Sequence, residues 1–315
     1  MVEHIAKVAV TGKHQVKAMG KAKWKLALIM SSLLVLNACS TIVAENSCGA
    51  TELTPLELQQ TFGVGKDLEG ALNRLNNEVI ILARSGQDLE KYGIRYSHAA
   101  FMVKERSGWQ VYHLLNECPS SAGGLYQEGL GNFVQPAMVN TKLKGRSGSI
   151  SSENLTFGYV IPSKQIQGHL KRILQDPKAR SSVFEAQYSA VANPYNLLNQ
   201  NSNGWILELY AMAEAKTKGQ TISNREEAQT WLKSNGYHGT ELPASILKQR
   251  LAAIAVGNVS LKGHERADRY QGKLLINSGD SVLNYIGKNP QSVKCANLPN
   301  SHLAKNANYC DLELR

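Results

Sequence analysis

The sequence predicts an α+β fold in which an antiparallel sheet packs against helices. Three observations support this prediction. Apolar residues recur at helical spacing from Gly65 to about Ala83, two β-rich runs flank a turn at 106–108, and a polar cluster at 199–203 leads directly into another apolar-periodic helix. With 315 residues and 43% apolar content, the chain can form a sizeable core in one large domain or two small ones.

Residues 1–44 are predicted to be a secretory signal with an N-terminal extension. The apolar run Leu26 to Leu36 follows three lysines and is too short to span a bilayer as a mature helix. Two cleavage positions stay open. Cleavage before Cys39, in a Leu-Asn-Ala-Cys sequence similar to a lipoprotein box, would put a lipid on that cysteine, whereas cleavage after Ala44 would discard it. Either cleavage position predicts an exported protein that is periplasmic or lipid-anchored to the bacterial envelope. A lipid on Cys39 would be its only attachment to the membrane.

The basic charge of the chain is concentrated in this N-terminal segment. Residues 1–25 contain six lysines and one glutamate, so +5 of the formal +10 charge is removed with the signal and +5 remains. No Lys/Arg run is interleaved with aromatic residues. The composition therefore does not predict a nucleic-acid partner.

Four further cysteines, Cys48, Cys118, Cys295 and Cys310, allow three disulfide pairings in an oxidising compartment. We favour Cys295 with Cys310, which closes a short loop, and Cys48 with Cys118; reduced thiols are the alternative. No CxxC pair is present. The histidines outside the candidate site lack partners at metal-ligand spacing, so neither a metal nor a cofactor is predicted; they include His169, His238, His264 and His302.

The first half of the mature chain reads as a helix followed by a hairpin. The helix covers 65–83, and the hairpin strands cover Tyr96 to Val103 and Trp109 to Leu115. The segment Leu125 to Phe133 is predicted to be loop-rich, with four glycines in or just before it. A further strand is expected from Thr156 to Ile161, where Pro162 ends it.

The second half begins with a helix that Ser163 caps and that runs to about Leu174. After the helix that follows the polar cluster, another is expected over 221–235, with Ser223 as its N-cap and Glu226 at the capping-box position. The final predicted elements are strands over 254–261, 272–276 and 281–286. The domain is thus assigned to 46–288, with 289–315 as a C-terminal tail.

The pattern around His98 and Ser202 suggests acyl-transfer chemistry. Such a site needs a nucleophile, a base within hydrogen-bond reach and a group that orients the base. Alternation along the strand places Tyr96, His98 and Ala100 on one face. His113 lies on the second hairpin strand, where it could be a cross-strand neighbour of His98 and its orienting group.

Ser202 begins the helix that follows the polar cluster, four residues before Ile206 and hence on its inward face. A helix N-terminus favours an anionic nucleophile. The alternative is a plain helix cap, a role that Asn201 or Asn203 could also fill. Asn116 is a second candidate for orienting the base, whereas the aromatic residues of the site are core residues or substrate contacts: Tyr96 and Trp205.

Four stretches, GIRYSHAAFMV, WQVYHLLNEC, YQEGL and YNLLNQNSNGWILELYA, resemble the bacterial DUF2145 family of exported proteins. The resemblance covers about residues 46 to 285, and its most specific parts are YSHA and QNxNxWxLEL. That family looks related to the permuted branch of the NlpC/P60 papain-like superfamily. The resemblance therefore implies a papain-like fold, with His98 as base, His113 as the polar residue on the next strand, and position 202 as the nucleophile.

The resemblance implies a cysteine at position 202, where this chain has serine. A serine hydroxyl has a much higher pKa than a thiol, so a site built for a thiolate would hold little ionised nucleophile. Three explanations stay open: a working serine variant, a cleft kept for binding, or an introduced Cys-to-Ser change. The implied function is an amidase, peptidase or acyltransferase acting on an envelope peptide or acyl group, and the alternative is a non-catalytic envelope binding or scaffolding protein.

Overall fold

The structure, a computed structural model, describes residues 53–86, 89–117, 120–143, 155–255, 257–298, 301–304 and 307–314. The predicted signal, its lipidation at Cys39 and the pairing of Cys48 with Cys118 fall outside these ranges. They stay predictions. Among the described residues, no helix is both long and apolar enough to cross a membrane.

The centre of the described chain is an antiparallel sheet of seven strands. In chain order its strands are β1 (Val79–Arg84), β2 (His98–Glu105), β3 (Gly108–Glu117), β4 (Ala122–Glu128), β5 (Phe157–Val160), and, near the C-terminus, β8 (Ser301–Leu303) and β9 (Cys310–Leu312). Their spatial order is β4-β3-β2-β1-β5-β9-β8. A separate two-stranded sheet pairs β6 (Thr240–Pro243) with β7 (Lys273–Ile276). The prediction of an α+β fold with an antiparallel sheet is confirmed.

Helices connect these strands and cover both faces of the large sheet. They are α1 (Pro55–Leu75), α2 (Leu130–Leu143), α3 (Lys164–Gln175), α4 (Pro177–Ser181), α5 (Ser202–Thr217), α6 (Arg225–Ser234), α7 (Ile246–Ala255), α8 (Arg266–Tyr270) and α9 (Gly279–Lys288). Local sequence sets several of their ends. Thr54 and Glu57 form a capping box at the start of α1, and Ser163 caps α3 as predicted by accepting from the Ile166 amide.

Side chains from alternate positions along the strands divide the core into two layers. On β1, Ile80 and Leu82 pack with α1 and α2, whereas Ile81 and Ala83 pack with α3, α5 and α9. Period-2 alternation is what sends neighbouring residues to opposite faces. The layer of α1 and α2 and the layer of α5 therefore lie on different sides of the sheet, which matters for the placement of the histidines.

Two predictions for the first half of the chain are wrong. The helix predicted over 65–83 ends at Leu75, and Val79–Arg84 is β1. All six β1 residues are buried, because helices cover both faces of the sheet, and a strand buried on both faces shows a continuous apolar run instead of alternation. The segment 125–133, predicted to be a loop, is divided between β4 and α2.

Two of the three predicted C-terminal strands are also wrong. Residues 246–255 form α7, and 257–261 are turn and irregular structure. Residues 279–288 form α9, where a capping box at Ser278 starts the helix and Val282, Leu283 and Ile286 share a buried side. The strand at 272–276 is confirmed as β7. Helix α6 is shorter than predicted and is capped by Asn224, not Ser223.

The predicted disulfide between Cys295 and Cys310 is present. It attaches β9 to the short 3-10 helix at Cys295–Asn297. β9 pairs with β5, and β8 pairs with β9 at the edge of the sheet. Residues 301–303 and 310–312, in the part of the chain that the sequence assigned to a tail, thus contribute to the central sheet.

Candidate active site

His98 and His113 form a hydrogen-bonded pair inside the protein. The His98 Nε2 and His113 Nδ1 atoms are 2.9 Å apart, and the ring centroids are 5.1 Å apart. The β2–β3 register ends at Phe101 opposite Tyr112, so the two histidines are diagonal neighbours on one face, not directly opposite residues. Their exposures are 0% and 1%, so the pair is sealed from solvent.

Glu128 of β4 extends the pair into a chain of three polar groups. The His113 Nε2 and Glu128 Oε1 atoms are 2.9 Å apart. The two atoms are at ion-pair distance, and a carboxylate next to a ring nitrogen favours a proton on that nitrogen. We therefore assign the proton of His113 to Nε2, which leaves its Nδ1 to accept. His98 must then donate from Nε2, which assigns its lone pair to Nδ1. These tautomers follow from the His98–His113 hydrogen bond together with the position of the Glu128 carboxylate.

Sequence reasoning missed Glu128, although a signal was present. In the β3–β4 register His113 is opposite Tyr126, which places Glu128 two positions along β4 on the same face. The neighbouring Leu125-Tyr126-Gln127 has the composition of a strand. The nearby glycines favoured a loop, so this strand was not predicted.

Arg84 is a second site residue that sequence reasoning missed. It is the direct partner of His98 in the β1–β2 register and is 1% exposed. Its guanidinium carbon lies 5.3 Å from the centre of the Phe133 ring, and that ring is also 5.9 Å from His98 and 6.1 Å from His113. A cation and two imidazoles thus share one aromatic neighbour from α2. Because 79–83 was predicted to be helical, this cross-strand pairing could not be anticipated.

The start of α5 enters the opening where β2 and β3 diverge. The pairing of β2 with β3 ends at Phe101. Toward the start of β2, the side chain of Asn203 bonds to the backbone instead of β3. Its Oδ1 accepts from the Ala99 amide at 2.9 Å, and its Nδ2 donates to the Ser97 carbonyl at 2.9 Å. The two backbone groups belong to the residues directly before and after His98. The residue before Asn203, Ser202, is the first of α5 and is 0% exposed.

The imidazoles and the body of α5 lie on different sides of the sheet. His98 alternates with Ala100 and Met102 and contacts α2, whereas Ile206 and the rest of α5 pack against Ala99 and Phe101. Only the first turn of α5 reaches the strand end that carries His98.

Asn201 and Asn203 attach this first turn to a second segment of the chain. Asn201 caps α5 by accepting from the Gly204 amide at 2.8 Å. Both asparagines also donate to the carbonyl of Asn277, at 3.0 and 3.1 Å. The N-cap role predicted as one alternative at this junction thus belongs to Asn201, and Ser202 follows it.

A buried ion pair attaches the next turn of α5, and the segment before the helix, to α6. Arg225 of α6 contacts both oxygens of Glu208 in α5, at 2.9 and 3.1 Å. Gln200 and Gln229 donate to the same carboxylate. Burial raises the pKa of Glu208, while the charge and hydrogen bonds of Arg225 act in the opposite direction. Arg225 also donates to the carbonyls of Leu197 and Asn199, so it holds the segment that leads into α5.

The remaining predicted site residues have structural partners. Asn116 donates to the carbonyls of Ser120 and Ala122 at the β3–β4 turn, and accepts from Asn258. Trp205 donates to the Arg180 carbonyl and its ring packs edge-on to Phe101 at 6.0 Å. These contacts place Trp205 in the core beneath the first turn of α5.

Tyr96 belongs to the α5 side of the core and not to the face of His98. Because β2 begins at His98, the predicted alternation does not extend back to Tyr96. Its hydroxyl donates to Asp311 of β9 at 2.9 Å. Burial, followed by the charge of Asp311, raises the pKa of Tyr96. The described residues contain no group of three His, Cys, Asp or Glu side chains placed to hold a metal ion.

Replacing Asn203 with alanine is expected to lower the free energy of unfolding by about 1–3 kcal/mol, the cost of leaving a buried backbone group unpaired. The amide of Ala99 and the carbonyl of Ser97 would lose their partner. Urea unfolding measures the change. The matched control is Asn235→Ala, which removes an exposed bond to the Trp231 carbonyl and should cost much less. Equal losses in the two variants would contradict the role given to Asn203.

The fold and site together define an α+β protein in which two buried histidines, linked to a half-buried glutamate, and a helix N-terminus meet at an opening in an antiparallel sheet. The chain belongs to the DUF2145 family, described as "Uncharacterized protein conserved in bacteria", whose model matches residues 71–286. The matched segment runs from α1 to α9 and includes all the site residues described above. No curated protein and no solved structure matches the chain.

Proposed function

We propose that this protein is an exported relative of the papain-like hydrolases, in the permuted NlpC/P60 arrangement, with His98 as base and Ser202 at the nucleophile position. The observation that supports it is the pair of bonds from Asn203 to the backbone on either side of His98. They bring a helix N-terminus to a histidine whose second nitrogen is held by another polar side chain. This is the relation that nucleophile, base and orienting group have in acyl-transfer enzymes.

The proposed reaction is acyl transfer from an amide or ester. The Ser202 hydroxyl gives its proton to His98 Nδ1, its oxygen bonds to the carbonyl carbon, and the proton then passes to the departing amine or alcohol. Water or another acceptor releases the acyl group by the reverse proton path. Because the Gly204 amide is bonded to Asn201, oxyanion stabilisation falls to the earlier amides of the helix and to its dipole. In this scheme His113 and Glu128 fix the tautomer of His98.

The proposed substrate class is a peptide or acyl group of the cell envelope. It follows from the proposed export of the chain and from the chemistry of the superfamily that the chain resembles. The protein would act in the periplasm or, if Cys39 is lipidated, at the membrane surface. Mass spectrometry of the mature N-terminus distinguishes these two locations.

A second candidate function is non-catalytic envelope binding or scaffolding. Complete burial of Ser202, His98 and His113 favours it, because a substrate could reach these groups only after the surrounding chain moved. Serine in place of the expected thiol favours it further. In this case His98, His113 and Glu128 would be a structural polar network that holds β2, β3 and β4 together.

Thiol labelling of the Ser202→Cys variant tests the enzymatic proposal. A thiol at a helix N-terminus beside a base ionises at lower pH than a free thiol, so at pH 6 we expect alkylation at least about tenfold faster than at an exposed control, Ser107→Cys. Peptide mass spectrometry locates the label, since the chain contains five other cysteines. The His98→Gln change should abolish the difference. No labelling of folded Ser202→Cys, or labelling independent of His98, would favour the binding function.

A further inference from the structure

A cavity far from the histidines in the sequence is lined by three arginines. It has a volume of about 200 Å³ and lies where α7 meets α8. Its lining consists of Ile246, Gln249, Arg250, Arg266, Arg269 and Tyr270. No aspartate or glutamate is among the described residues of that lining. The cavity therefore concentrates positive charge.

Among the described residues, the three arginines of this cavity have no ion-pair partner. Within the described part of the chain, no carboxylate is within salt-bridge distance of any of the three guanidinium groups. The acidic neighbours on the same stretch, Glu265 and Asp268, are exposed and lie outside the lining. Three guanidinium groups that repel one another across a small cavity are stabilised by an anion between them.

The side chain of Gln249 is a buried part of the cavity lining that hydrogen bonds hold in place. This side chain is 2% exposed, and its amide nitrogen donates to the carbonyls of Ala244 and Arg269, at 2.8 and 2.9 Å. Its oxygen accepts from Arg269 Nε at 3.3 Å. One guanidinium is therefore held in place before any ligand arrives. Arg266 and Arg269 are three residues apart on α8, a spacing that puts two side chains on one helix face.

We propose that this cavity binds the phosphate group of a phosphate monoester. Planar guanidinium groups bond phosphate oxygens in pairs, and three cations match a dianion better than a singly charged carboxylate. Tyr270, which is 65% exposed, and Ile246 provide an apolar rim for the organic part of the ligand. The ligand is either a free phosphate compound or a lipid headgroup. This site is independent of the chemistry proposed at Ser202.

Calorimetric titration with inorganic phosphate and with glycerol phosphate, against sodium chloride of equal ionic strength, tests the site. The variant is Arg250→Gln/Arg266→Gln, and the matched control, Arg106→Gln/Lys178→Gln, removes the same charge from exposed positions elsewhere. We expect saturable binding by the wild type and the control, and at least about tenfold weaker binding by the cavity variant. Thermal unfolding confirms that both variants are folded.

Flotation with vesicles of phosphatidic acid in phosphatidylcholine distinguishes a lipid headgroup from a free phosphate compound. If the wild type and the control variant bind these vesicles and the cavity variant does not, the ligand is a lipid headgroup. Binding of glycerol phosphate without such retention indicates a free phosphate compound. The proposal is overturned if phosphate binds no better than chloride and the two variants behave alike on vesicles, because the arginines would then be an ordinary solvated surface.

Discussion

Replacing Arg225 with methionine is expected to destabilise the fold by about 3–5 kcal/mol, the cost of removing one partner from a buried ion pair. The Glu208 carboxylate would stay buried without its cation, and the carbonyls of Leu197 and Asn199 would lose their donors. Burial already raises the pKa of Glu208, so the carboxyl would be driven toward its neutral form. Urea unfolding followed by circular dichroism measures the loss.

Two controls separate this effect from a general loss of positive charge. Lys171→Met removes an exposed ion pair with Glu78 and should cost about 0–1 kcal/mol. The double variant Arg225→Met/Glu208→Leu removes both charges and should recover much of the stability lost in Arg225→Met alone. A loss in Arg225→Met no larger than in Lys171→Met would show that the pair is not important for the fold.

The ion pair also explains the composition of the QNxNxWxLEL motif. Gln200 and Glu208 join the network of Arg225, Asn201 caps the helix, and Asn203 occupies the opening beside His98. These four polar residues of the motif therefore fix the start of α5 and the segment that leads into it. This arrangement accounts for a polar cluster that is almost wholly buried and leads directly into an apolar helix.

Sequence reasoning succeeded where a short-range signal determines structure. A hairpin turn, a Ser163 cap and a fifteen-residue cysteine spacing each have a local physical cause, and each was confirmed. The closeness of His98 to His113 followed from the hairpin alone. These features depend on residues near one another in the chain.

Features that depend on distant parts of the chain were not predictable in the same way. β1 is buried on both faces only because helices from elsewhere cover it, so its residues have no strand alternation. In α9 a capping box at Ser278 starts a helix where a strand was predicted. Glu128 and Arg84 are site residues because of strand register, and register requires the assembled sheet.

The tautomer assigned to the histidine chain leads to the final prediction. In the Ser202→Cys background, Glu128→Gln is expected to slow alkylation at pH 6 by about 100-fold, since loss of the carboxylate that orients a catalytic histidine costs up to about 10⁴ in hydrolases. The glutamine amide can donate to His113 Nε2, which would reverse the tautomer of both rings and leave His98 Nδ1 protonated. Labelling would then need a higher pH.

Glu105→Gln provides the matched control, because it makes the same acid-to-amide change on the same hairpin, where Glu105 accepts from the Tyr112 hydroxyl. It should leave the labelling profile unchanged. Nitrogen-15 chemical shifts of the two imidazoles report the tautomer directly and do not depend on labelling. Unchanged chemical shifts and an unchanged pH profile of labelling in Glu128→Gln would mean that the carboxylate does not orient the rings. His113 alone would then have to hold the tautomer of His98.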